Sequence, residues 1–144
     1  MIRILLLVFC LSLAACASQP PRDWSTGDED EAPAIQNPAV VALMAEAERQ
    51  QAAGNHGLAA SALERALRIA PHDAALRIEL GRLRLEQGDP FQAKELARMA
   101  VVYAGEQHAL QADAWDLIAA AERMIGNQVE ATLAAEEAAR LRDE

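Results

Sequence analysis

Few residues in this chain are of types that could do chemistry. His56, His72 and His108 fall at turns or helix starts, far apart along the chain, and none has a partner at metal-ligand spacing. Glu136-Glu137 and the Asp113/Asp116 pair are candidate carboxylate couples. Acid–base catalysis, however, needs a concave apolar pocket to shift a carboxyl pKa, and the surrounding residues suggest solvated helix faces instead. No glycine-rich phosphate loop and no serine beside a base occurs. The two cysteines, Cys10 and Cys16, both lie at the start of the chain, so no disulfide framework is expected downstream. Cys16 is the exception among these residues, because it sits directly after an apolar run. The expectation is no enzyme, no metal and no cofactor.

Arg3 and the apolar run 4–13 have the form of a signal peptide, since a membrane-spanning helix needs about 20 apolar residues. The run ends in Leu13-Ala14-Ala15-Cys16, which resembles the lipobox of bacterial lipoproteins. That resemblance implies removal of residues 1–15 and lipidation of Cys16, whose thiol is the nucleophile for attaching a palmitate-type diacylglyceryl group. Several acyl chains on one residue exceed the two-signal requirement for stable anchoring. Ala17 stands where inner-membrane retention signals usually carry aspartate, so the implied destination is the outer membrane, facing the periplasm. Ala15-Cys16-Ala17 also fits the A-x-A pattern of ordinary signal cleavage, which would give a soluble periplasmic chain.

Composition narrows the rest. The 144 residues are 52% hydrophobic but 3% aromatic, so the core must be built from small side chains, which suits closely approaching helices. Twenty-two acidic against 13 basic residues give a net charge of −9, which excludes nucleic acid as the expected partner because phosphate neutralisation dominates that affinity. Residues 16–37 hold Pro20, Pro21, Pro33 and the acidic run Asp28-Glu29-Asp30-Glu31 without apolar periodicity, and read as a lipidated cysteine followed by a disordered tether. Such a tether reaches at most about 70 Å and roughly 25 Å as a coil. Its Trp24 could meet the lipid interface, dock on the folded part, or be incidental.

The folded part is 38–144. Within 76–102, Gly88-Asp89-Pro90 separates two amphipathic helices: Leu76, Leu80 and Leu83 lie on the first, and Ala93, Leu96, Ala97, Ala100 and Val101 on the second. Glycine closes a helix, aspartate caps the next, and proline suits its first position. The unit recurs. Gly54-Asn55 lies 34 residues earlier and Gly126-Asn127 lies 38 later, with Ala59, Ala93 and Ala131, then Ala66, Ala100 and Ala138, in step. Asn37-Pro38 opens a helix to about Ala53, a second runs from about Gly57 to Ala70 before Pro71, hairpin two starts after Asp73, and hairpin three spans about 107–142. Asn127 with Glu130 forms a capping-box pattern.

The 34-residue spacing, Gly81, Pro71, Trp115 and the alanines after each turn together resemble the tetratricopeptide repeat, with repeats beginning near Val40, Ala74 and Ala112. Extra residues around 104–111 break the period, Gly105 stands where proline is usual, and Gln50, Arg84 and Glu122 replace large apolar residues. The resemblance implies an all-α fold of three helical hairpins in a short superhelical array. Three repeats are near the minimum for a stable array, so a partner or self-association is expected to help its ends. It also implies a concave groove lined by the first helix of each hairpin. Its candidate partner-binding residues are Met44, Glu48, Gln51, Ile78, Arg82, Leu85, Asp113, Asp116, Leu117 and Arg123, some of which can instead pack between helices. The Lys/Asn set with which some members clamp a peptide carboxylate is not recognisable. This mixed, net acidic set favours an extended or helical protein segment carrying Lys or Arg. The expected function is an outer-membrane-anchored adaptor or scaffold, such as a pilotin-like or peptidoglycan-enzyme-regulating lipoprotein. The alternative is a self-assembling structural envelope protein, a homo-oligomer.

Overall fold

A computed structural model describes residues 37–144, so the signal peptide, Cys16 and nearly all of the tether lie outside the described residues. Six helices follow in order: α1 (Pro38–Ala52), α2 (His56–Ile69), α3 (Ala74–Glu86), α4 (Pro90–Tyr103), α5 (His108–Ile125) and α6 (Gln128–Arg142). Among the described residues there is no strand, and no helix is long and apolar enough to cross a membrane. The pairs α1–α2, α3–α4 and α5–α6 are the three expected hairpins.

The intra-hairpin turns share one hydrogen-bonding pattern. Gly54, Gly88 and Gly126 take φ of 75°, 79° and 98°, the left-handed region where a side chain is strained. This lets the next residue's N–H reach back into the helix: Asn55 N donates to Gln50 O (2.8 Å), Asp89 N to Arg84 O (2.9 Å) and Asn127 N to Glu122 O (2.9 Å). Each glycine N–H also donates, to Gln51 O, Leu85 O and Arg123 O respectively, completing a Schellman closure.

Capping of the following helix differs among the three. Asp89 Oδ1 accepts from Gln92 N at 3.0 Å, as its residue type suggests, and Asp73 and Asn37 cap α3 and α1 in the same way. Asn55 and Asn127 do not. Their Nδ2 groups donate backward to Gln50 Oε1 (2.9 Å) and Glu122 Oε2 (2.8 Å), so the capping box expected between Asn127 and Glu130 is absent. A polar residue five positions upstream holds the amide turned back toward the preceding helix.

Packing follows from the small side chains. Ala59, Ala66, Ala93, Ala100, Ala131 and Ala138, the residues in step with the turns, are all exposed by 1% or less, which lets helix backbones approach closely. The central helix α3 is buried on two sides. Leu76, Leu80 and Leu83 join Val40, Ala47, Leu63 and Ala66 in a cluster with hairpin one, whereas Ile78 packs with Ala100, Ala104 and Ala114 toward hairpin three. At Gly81 the contact is tightest: a Cβ there would lie 2.6 Å from Leu117 Cδ2 and 3.3 Å from Ala93 O. Among the described residues the core draws its members from between Val40 and Leu141, and a chain starting at Ala17 keeps all of these and is expected to fold without the first sixteen residues.

The irregular spacing before hairpin three also has a local cause. Gly105, at φ 54°, ends α4, and the Gln111 side chain donates to its carbonyl, so a glycine turn stands in place of the usual proline.

Candidate partner-binding groove

The groove residues come from the same edge of three consecutive first helices, and side chains bridge those helices. Between α1 and α3, Gln51 Nε2 donates to both Glu86 carboxylate oxygens (3.1 and 3.2 Å), and His56 Nδ1, at the start of α2, lies 3.4 Å from the same carboxylate. Arg82 holds Glu79 within α3 at 2.6 Å and reaches across to Asp113 of α5 at 3.6 Å. Arg142, at the end of α6, crosses to Asp116 and lies 3.9 Å from Asp113. Its hydrogen bond to Asp116, and then the charge of that carboxylate, hold the guanidinium pKa above its usual value.

These pairs are half exposed. Arg82 and Asp113 side chains each retain 46% of their surface, a setting in which an ion pair contributes roughly 0–1 kcal/mol. They are therefore exchangeable: a ligand's cation can displace Arg142 from Asp116, or a carboxylate can take Arg82, at small cost.

The ten expected residues divide. Glu48, Arg82 and Arg123 are exposed; Met44, Gln51, Leu85, Asp113 and Asp116 are half-buried with reachable surface. Ile78 and Leu117 are core residues, exposed by 2% and 4%, and offer no face to a ligand. Gly81 lets α5 close onto α3, which seals Leu117 inside, and Ile78 is covered by Ala100, Ala104 and Ala114. Glu79, Glu86 and Arg142 belong to the groove network but were not foreseen. Glu79 and Glu86 were legible from their spacing around Arg82; Arg142 was not, because it comes from a second helix.

The polar residues at apolar repeat positions find partners locally, apart from the buried Arg84 Nε, which has none among the described residues. Gln50 donates to Glu46 at 2.7 Å and accepts from Asn55. Arg84 binds Glu64 and Gln87. Glu122, 5% exposed, accepts from Asn127 and pairs with Lys94 at 3.2 Å. The Asn127 hydrogen bond, then the hydrogen bond and charge of Lys94, outweigh burial and hold its pKa below the ordinary glutamate value. Arg77, also buried, was missed altogether: it sits 4.3 Å over the Tyr103 ring and donates to the Asp73 and Pro71 carbonyls, clamping the turn between hairpins one and two.

The histidines remain dispersed, with His72 against Tyr103 (4.9 Å between rings) and His108 3.7 Å from Glu144. Among the described residues no group of three His, Cys, Asp or Glu side chains could hold a metal ion.

This geometry has known relatives. A sequence family described as tetratricopeptide repeat matches residues 50–121, from the end of α1 through most of α5. Among solved structures, the globular C-terminal domain of P. aeruginosa LpoP is similar, at 41% identity over 71% of this chain and 96% of that one, with a TM-score of 0.69. No curated protein sequence matches.

Proposed function

We propose, for a chain that belongs to the tetratricopeptide repeat family, that it is an adaptor of the bacterial envelope, anchored to the outer membrane through lipidated Cys16 and binding a periplasmic client in the groove of its first helices. The observation that carries the reading is a half-exposed, exchangeable polar network along the first helices: the Gln51–Glu86 hydrogen bond joins α1 to α3, and the Arg82–Asp113 ion pair joins α3 to α5. A surface of this kind recognises a protein segment by swapping charges. It has little to offer a small substrate, for which a mostly apolar, enclosing pocket is usual. Net charge of −9 steers basic segments toward it.

Of the two lipoprotein types that the sequence suggests, pilotin-like and peptidoglycan-enzyme-regulating, the likeness to the LpoP domain favours the second. The tether 17–37 would let the array leave the membrane by up to about 70 Å to meet that client.

The test is a chromosomal charge swap, Arg82→Asp with Asp113→Arg, which reverses the polarity of the α3–α5 pair and also removes the attractions of Arg82 to Glu79 and of Asp113 to Arg142. At unchanged protein level the swap should lower incorporation of a labelled D-amino acid into the cell wall as deletion of the whole chain does. Incorporation unaffected by deletion would refute the peptidoglycan reading; a swap that behaves as wild type while deletion does not would refute the groove.

A further inference from the structure

A second recessed surface lies away from the groove. The backbones of the second helices α4 and α6 stay more than 8 Å apart, whereas those of the first helices α3 and α5 come closer, which leaves a gap on this side with α5 as its floor. The resulting cleft has a volume of about 420 Å³. Trp115 and Ile118 of α5 line its bottom, and Leu133 and Ala134 of α6 one wall. A cavity of about 150 Å³ already accepts a benzene ring, so this one holds two side chains of aromatic or leucine size.

On α5, Trp115, Ile118 and Glu122 point about 140° away from Asp113, Asp116 and Arg123 at 100° per residue. Cleft and groove are thus on nearly opposite faces. Apolar surface is also distributed unequally. Leu133 is 59% exposed, Val129 69%, and on α4 Met99 and Val102 are 43% and 74%; of the ten exposed large apolar residues among those described, eight are on second helices.

Charge at the rim selects among occupants. Arg98 of α4 is engaged by Glu95 at 3.4 Å, Glu122 by Lys94 and Asn127, and Glu137 of α6 by Arg140. Glu130, in the first turn of α6, has no side-chain partner among the described residues. Along α6, Glu130, Leu133, Ala134 and Glu137 occupy i, i+3, i+4 and i+7, a single stripe with an apolar centre, one unengaged carboxylate at Glu130 and one held by Arg140 at Glu137.

We propose that this outer cleft is a second docking site, for an amphipathic helix of a partner protein that inserts bulky apolar side chains over Trp115 and sets a Lys or Arg against Glu130. The helix lies between α4 and α6 and completes the layer those two leave open, a helix-in-groove mode. The unpartnered carboxylate disfavours an acidic occupant such as this chain's own Asp28-Glu29-Asp30-Glu31 run, and an anionic lipid surface. A site on the outer face lets the chain hold two segments at once, one in the groove and one in the cleft.

The test uses residues 17–144 with Trp24→Phe, so that Trp115 is the only tryptophan and reports on the cleft floor. The probe is a short synthetic helical peptide with two phenylalanines at i and i+4 flanked by lysines. Saturable change in Trp115 emission is expected. Leu133→Glu, at an exposed position that leaves the fold intact by circular dichroism, should weaken binding at least about tenfold, or ~1.4 kcal/mol. Glu130→Lys should weaken it about threefold, and the Arg82→Asp/Asp113→Arg swap should leave it unchanged. Equal binding of a peptide with glutamate in place of each lysine, or no response at any concentration, would overturn the proposal. So would a response that anionic vesicles, or concentration of the chain alone, reproduce. Loss of binding in the groove swap but not in Leu133→Glu would place the peptide in the groove and leave only the groove reading standing.

Discussion

Adding one methyl group at Gly81 tests how the array is closed. In Gly81→Ala the new Cβ would meet Leu117 Cδ2 at 2.6 Å and the Ala93 carbonyl oxygen at 3.3 Å, both inside ordinary contact distance. Two effects oppose each other. Alanine favours the helix by about 1 kcal/mol over glycine, whereas overfilling a packed core costs about 1–3 kcal/mol. Leu117 is 4% exposed and pinned between α3 and α5, so its side chain cannot swing to solvent, and the carbonyl belongs to a helix backbone. The clash should win, for a net loss of about 1 kcal/mol in Gly81→Ala. The added bulk and β-branching of Gly81→Val should cost about 3 kcal/mol. Thermal unfolding of residues 17–144 should show a fall of about 4–8 °C per kcal/mol. Leu117→Ala, which alone should cost about 2–5 kcal/mol, should cost about 1 kcal/mol less when Gly81→Ala is present, because the two side chains compete for one space. A Gly81→Ala chain as stable as the parent, with no such coupling, would refute this account of α3–α5 closure.

Other residues give sharper local tests. Glu122→Gln keeps an acceptor for Asn127 but removes the charge facing Lys94, and should cost about 1 kcal/mol at pH 7. Since the folded pKa of Glu122 is depressed, that stabilisation is present above the unfolded glutamate value of about 4.3 and is lost as pH falls through the folded value. Urea unfolding at pH 7 and pH 3 should therefore show the difference shrinking, and a pH-independent difference would argue against the pair. Asp89→Ala should cost about 1 kcal/mol by uncapping α4, read in the same assay, while an unchanged midpoint would mean that the cap is replaced by water. Cys16→Ser should abolish incorporation of labelled palmitate, and labelling that persists would show that another residue carries the lipid.

Much of the fold was legible because backbone demands are local. A left-handed glycine followed by a polar residue marks each helix turn wherever it occurs, and an alanine at a fixed distance after it marks each close helix approach; both survive in all three hairpins. The groove was only half legible. Helical periodicity says which residues share a face, but not how near the next helix comes, and Gly81 brings α5 near enough to bury Leu117, while Ala100, Ala104 and Ala114 cover Ile78. Asn127 was misread for a related reason: its Nδ2 donates to Glu122, five residues upstream in the previous helix, which turns the side-chain amide back toward α5 and away from the N–H groups that Oδ1 would cap. Arg77 escaped notice because a charged residue reads as surface unless its partners are known, and those partners are two loop carbonyls and a ring from α4.

The central claim is that the groove at Arg82 holds a client in the envelope. A photo-crosslinking amino acid in place of Glu48, on the groove edge of α1, should capture one periplasmic or inner-membrane protein in intact cells. By this account that protein is an enzyme that builds peptidoglycan, and the Arg82→Asp/Asp113→Arg swap in the same chain abolishes its capture. Crosslinks only to other copies of this chain, or capture that the swap does not touch, would contradict it.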